Sequence, residues 1–100
     1  MQIYAIRRRH AWSSAAELQQ AAARSQEVAD DEFPDDVRWI RTYVIAEENV
    51  TLGSVCIYQA TDHFAIRQHS HRVGMPADAI WNVADTVVLR PDPVATPLNP

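Results

Sequence analysis

One cysteine, Cys56, and two glycines, Gly53 and Gly74, are all that 100 residues contain of those types. A single thiol makes no intrachain disulfide, so a reducing, cytoplasmic setting is expected. Two isolated glycines exclude a glycine-rich phosphate loop. Positive charge is also short, with nine basic against thirteen acidic side chains and a formal net charge of -4. Nucleic acid is therefore not an expected partner, because neutralising phosphates takes a basic surface. The one basic run, Arg7-Arg8-Arg9, reads as a solvated strand end. No apolar stretch approaches the roughly 20 residues that span a bilayer, so no membrane partner is expected. The N-terminus opens into strand-like sequence and lacks the apolar run and cleavage signal of a secretory peptide. Neither CxxC nor HxxxH occurs, and no Ser-His-Asp order can be defended.

What is present suits a folded domain. Hydrophobic residues make up 47%, which excludes a disordered chain. The length is that of one domain with a modest core, to which dimerisation would add. Residues 1–90 read as that domain and 91–100 as a Pro-rich flexible tail.

The elements follow from periodicity. Gln2 to Arg8 is a first strand, apolar on successive residues from Ile3 to Ile6 and so suited to cover on both sides. Ser14-Ala15-Ala16-Glu17 fits a capping box and opens a helix. Leu18, Ala21, Ala22, Ser25, Val28 and Ala29 recur on one face of it. Asp30 to Asp36 reads as an acidic loop, with Pro34 preventing further helix. Its five carboxylates match no calcium loop.

Val37 to Glu47 and Leu52 to Ala60 are two strands joined as a hairpin. By strict alternation, Ile40, Thr42 and Val44 share one face and Trp39, Arg41, Tyr43 and Ile45 the other. Asp62 caps a second helix that ends near Val73, before Gly74. Ala79 to Leu89 is the fourth strand. The order β-α-β-β-α-β predicts an α+β, ferredoxin-like fold: a four-stranded antiparallel sheet with two helices on one face. A sheet buried on two sides needs two covers and the chain's helices supply one. A second copy is the simplest source of the other, which predicts a homodimer.

Few residues offer chemistry. His69 falls on the apolar stripe of the second helix with Ala65, Ile66 and Val73. It is either a hydrogen-bonded core histidine or a ligand or proton carrier. His71 points away from it, and His63 lies roughly 12 Å from His71 by helical rise, so the two cannot share one ion. Cys56 sits mid-strand, as a small hydrophobe or as a soft metal ligand. Trp39, Arg41, Tyr43 and Tyr58 form a candidate pocket. Arg41 there needs an anion, either a ligand or a carboxylate such as Asp85.

Three stretches carry a family resemblance: Arg38-Trp39-Ile40-Arg41-Thr42-Tyr43-Val44, Cys56-Ile57-Tyr58-Gln59-Ala60, and His69-Ser70-His71-Arg72-Val73-Gly74-Met75-Pro76-Ala77-Asp78. The chain resembles a family of small bacterial proteins of unknown function labelled nickel-binding protein-like. The likeness covers the chain to about Asp92, apart from the acidic loop. It implies a dimeric α/β barrel and Ni²⁺ binding, with His69 and Cys56 on motif positions and His63 and His71 as departures. Imidazole suits nickel.

Three readings follow. The first is a homodimer that binds nickel, another transition metal or a small molecule, without catalysis. The second is a dimeric α/β-barrel enzyme, oxygenase- or isomerase-like, with His69 as acid–base and Tyr43 or Tyr58 orienting the substrate. The third is a protein-interaction module, on the strength of exposed apolar residues such as Phe64.

Overall fold

The computed structural model describes residues 1–93. The elements run β1 Gln2–Trp12, α1 Ala15–Glu32, β2 Val37–Ala46, β3 Leu52–Ala60, α2 His63–Val73 and β4 Ala79–Val83. The strands form one four-stranded sheet in the order β2-β3-β1-β4. Every neighbouring pair is antiparallel. This is the ferredoxin-like arrangement that the element order predicts.

Alternation along β1 decides which face each side chain takes. Tyr4, Ile6 and Arg8 are buried while Ile3, Ala5 and Arg7 are only half-buried. Tyr4 and Ile6 join Cys56, Tyr58 and Ala60 of the sheet and Ala29, Ala65 and Ile66 of the helices in one core. Both helices therefore cover this face. The opposite face, with Ile3, Ile57, Arg41 and Tyr43, has no helix over it and is called the open face below.

The helices are capped as their sequences require. The Ser14 hydroxyl accepts from the Glu17 amide at 3.2 Å. Glu17 does not return the bond to Ser14 as a full capping box would; its carboxylate takes the Ser13 hydroxyl instead. Asp62 Oδ1 accepts from the Ala65 amide at 2.9 Å. Gly74, at φ 83°, ends α2 in the left-handed conformation and donates to the Ser70 and His71 carbonyls.

Four boundaries and faces differ from those predicted. β1 continues past Arg8 to Trp12 through an irregularity in which His10 takes φ 49°. Asp30, Asp31 and Glu32 belong to α1, because Pro34 bars helix only from the residue before it. β4 stops at Val83, opposite Ile3, because β1 itself begins one residue further on at Gln2. In β2 a bulge at Ile40 breaks the alternation: Trp39 pairs with Tyr58 but Arg41 pairs with Ile57. Trp39, Thr42 and Val44 consequently face the helices, and Arg41 and Tyr43 the open side. The predicted tail beyond residue 93 lies outside the described residues.

Candidate functional site

The Ile40 bulge dismantles the pocket predicted from Trp39, Arg41, Tyr43 and Tyr58. Its members divide between two cavities on opposite faces of the sheet.

On the open face, a groove of about 570 Å³ lies between the sheet and residues 85–88. After β4 the chain crosses from one edge of the sheet towards the other. There Asp92 Oδ2 accepts from Arg41 Nη1 at 2.6 Å, and the Tyr43 hydroxyl donates to the same carboxylate at 3.0 Å. Arg41 thus has the protein carboxylate its position demands, supplied by Asp92 and not by Asp85. All three groups are exposed, so the ion pair is screened and weak.

On the helix side, a cavity of about 140 Å³ opens between α1 and the sheet, lined by Leu18, Ala22 and Ser25 against Trp39, Cys56 and Tyr58. Trp39 and Tyr58 stack with their planes 12° apart. The polar atoms of this wall bond to one another. Trp39 Nε1 donates to Thr42 Oγ1 at 2.7 Å, and the Thr42 hydroxyl donates to Cys56 Sγ at 3.3 Å. Ser25 Oγ and the Tyr58 hydroxyl are 3.1 Å apart. What faces the void is almost wholly carbon. Burial pushes the Tyr58 phenol above its ordinary pKa, against the opposing Arg8 charge, so it is neutral.

His69 is fully buried, as its place on the α2 stripe predicts. Its Nε2 lies 3.0 Å from the Ser25 carbonyl oxygen, which can only accept; this fixes the neutral tautomer with the proton on Nε2. Phe33 meets the ring edge-on and Tyr58 lies at 5.6 Å. Burial lowers the imidazole pKa, and the Arg8 charge acts in the same direction. His69 lines neither cavity. An imidazole enclosed in this way lacks the reach to a substrate that general acid–base catalysis requires.

The other histidines stay apart. His63 and His71 are exposed on α2. Among the described residues no three His, Cys, Asp or Glu side chains gather as a metal site. Cys56 and His69 are each engaged elsewhere, with Thr42 and Ser25. The described residues of this chain therefore do not fit a nickel ion, which takes several nitrogen, sulfur or oxygen donors converging at one point. No helix of the described residues is long and apolar enough to cross a membrane.

The residue that sequence reasoning misplaced is Arg8. It is not a solvated strand end but has no exposed surface at all. Nη1 donates to Ser70 Oγ at 3.0 Å and to the Pro76 carbonyl at 2.6 Å. Nε and Nη2 have no hydrogen-bond partner among the described residues. The guanidinium carbon stands 6.0 Å from the centre of the Tyr58 ring. The signal was present in the chain: counting by two from Tyr4 through Ile6 reaches Arg8. Its neighbour Arg7, on the other face, pairs with Glu47 at 2.5 Å. That bond, with the His10 amide, holds the Glu47 carboxyl below its ordinary range.

Against known proteins, a model of the nickel responsive protein SCO4226-like family matches residues 4–83. The crystal structure of SCO4226 from Streptomyces coelicolor A3(2) superposes with a TM-score of 0.67 at 19% identity. The match covers 85% of this chain and 99% of that one. At that identity the likeness speaks for the fold. No curated protein matches the chain.

Proposed function

This chain belongs to the SCO4226-like family of nickel responsive proteins, and we propose that it works as a homodimeric binding protein whose protomers meet through their open sheet faces. The observation that carries this is the exposed apolar surface on that side. Ile40, Tyr43 and Trp81 on the sheet are 49%, 43% and 51% exposed. Val87, Val88 and Leu89, in the segment after β4, are exposed further still. Large apolar side chains exposed together on one side of a small domain are costly in water and mark an interaction surface. A second copy fits it best, because the two faces would form the missing cover of a two-sided sheet and each would hide the other's patch.

The nickel relation in the family's description belongs to this same reading. One protomer does not gather a ligand set, so an ion held by this protein would draw donors from both copies. The four predicted donors all lie on the helix side of the sheet, His63 and His71 exposed on α2 and His69 and Cys56 buried beneath the helices, so donors at a contact between open faces would have to be other residues.

Native mass spectrometry of untagged protein prepared without chelator tests both statements. The expected species is a dimer, with any nickel present on the dimer and not on dissociated protomers. A protein that stays monomeric at tens of micromolar overturns the reading. Trp81→Glu places a charge on the patch without touching the core, and is expected to shift the population to a folded monomer.

A further inference from the structure

The core around Ile6 and Ile66 is closed to solvent, yet beside it the layer between α1 and the sheet keeps an apolar void. We propose that this void is a binding site for a small neutral aromatic molecule the size of benzene or toluene.

The sequence of α1 leaves the gap. Its face towards the sheet carries Leu18, Ala22 and Ser25 at helical spacing, and the last two are too short to reach far from the backbone. Opposite them the sheet presents the rings of Trp39 and Tyr58 and the thiol of Cys56. Between them about 140 Å³ stays unfilled. Atoms that border an empty space lose the dispersion contacts of a close-packed core, and an occupant restores them.

Size and wall chemistry set the occupant. An apolar cavity of about 150 Å³ stays dry and admits a benzene ring. The void has that size, and among the described residues no carboxylate, guanidinium, amine or imidazole lines it. The Trp39 indole N–H is bonded to the Thr42 hydroxyl, that hydroxyl to Cys56 Sγ, and Ser25 to Tyr58. A charged guest would give up its water for no partner here. Trp39 and Tyr58 hold their rings within 12° of parallel, and aromatic walls suit a flat aromatic guest through offset or edge-on contacts.

The void also has a way in. Ser25, Cys56 and Tyr58 on its deep side are buried, whereas Leu18, Ala22, Trp39 and Met75 are half-buried and border solvent. Every lining residue comes from one protomer, so the site is independent of the dimer and of nickel.

The test is a titration of the intact protein with toluene and with benzoate, followed by NMR through the three tryptophan indole N–H signals. Trp12 and Trp39 line the void, whereas Trp81, paired with Ala5, is on the open face and serves as the control. Toluene is expected to shift Trp12 and Trp39 saturably with one common midpoint and to leave Trp81 in place. Benzoate, the same ring with a charge, is expected to bind at least about tenfold more weakly. Ala22→Leu fills the void with a side chain that suits a helix, and should abolish the toluene shifts. Benzoate as tight as toluene overturns the proposal, as does Trp81 saturating at the same midpoint as Trp39. So does the absence of a saturable shift, the result if a side chain of a second copy already fills the void. An Ala22→Leu variant that binds toluene as the parent does overturns it too. Should that variant fail to fold, the tryptophan pattern and the ratio of toluene to benzoate still decide it.

Discussion

Two buried side chains, Arg8 and His69, carry most of what is unusual here, and the second has a measurable consequence. His69 is held neutral by burial, its pKa below the ordinary 6.5. The unfolded chain takes up a proton near 6.5 and the folded one resists it until a lower pH, so protonation favours unfolding in between. Stability is therefore greatest above pH 6.5 and declines as pH falls below it, with a limiting slope of about 1.4 kcal/mol per pH unit for one group. Urea midpoints measured from pH 7.5 to 5 should show this decline. His69→Gln can still donate to the Ser25 carbonyl, and should flatten it. Glu47 contributes at lower pH: its depressed carboxyl keeps the Arg7 pair intact until the pH falls through the carboxylate range. The inward direction of His69 was legible, because a helical stripe of apolar residues tells which way its members point. The burial of Arg8 was legible only in the strand's alternation, which a run of three arginines, looking like surface, masks.

Among the elements, the helices and hairpin strands were readable from caps and periodicity, whereas the misreadings cluster at departures from regular geometry. The hairpin connection is one. Val50, 92% exposed, takes φ 62°, a conformation that strains a β-branched residue. Val50→Asn should raise stability by up to about 1 kcal/mol in thermal or urea unfolding. Gly74 shows the converse. Its φ of 83° suits glycine and the space around it is empty, so Gly74→Ala should cost about 1 kcal/mol through backbone strain alone. Gly53 is under a different constraint: a Cβ there would stand 2.5 Å from the Arg8 carbonyl oxygen. Gly53→Ala should cost more, about 2 kcal/mol, by forcing β1 and β3 apart. A Gly53→Ala variant as stable as the parent would show that these strands have slack.

Over the molecule as a whole, the fold class was within reach because six elements in the order β-α-β-β-α-β leave few topologies. The division into two unlike faces was within reach too. What each face holds was not, because a single extra residue in β2 exchanges Trp39 with its neighbours. That residue also bears on how the chain tolerates changes of length. Trp39 faces the helices, Ile40 and Arg41 share one step of the ladder, and Thr42 faces the helices again. Removing Ile40 would leave Trp39, Arg41, Thr42 and Tyr43 in plain alternation with every side chain on the face it has now. Removing Tyr43 instead would turn the rest of β2 over. Position 40 is thus a place within β2 where a shorter chain keeps the same inside and outside. A deletion there is expected to give a folded protein with a straighter β2 and an unchanged Trp39 environment, and a deletion at 43 an unfolded one.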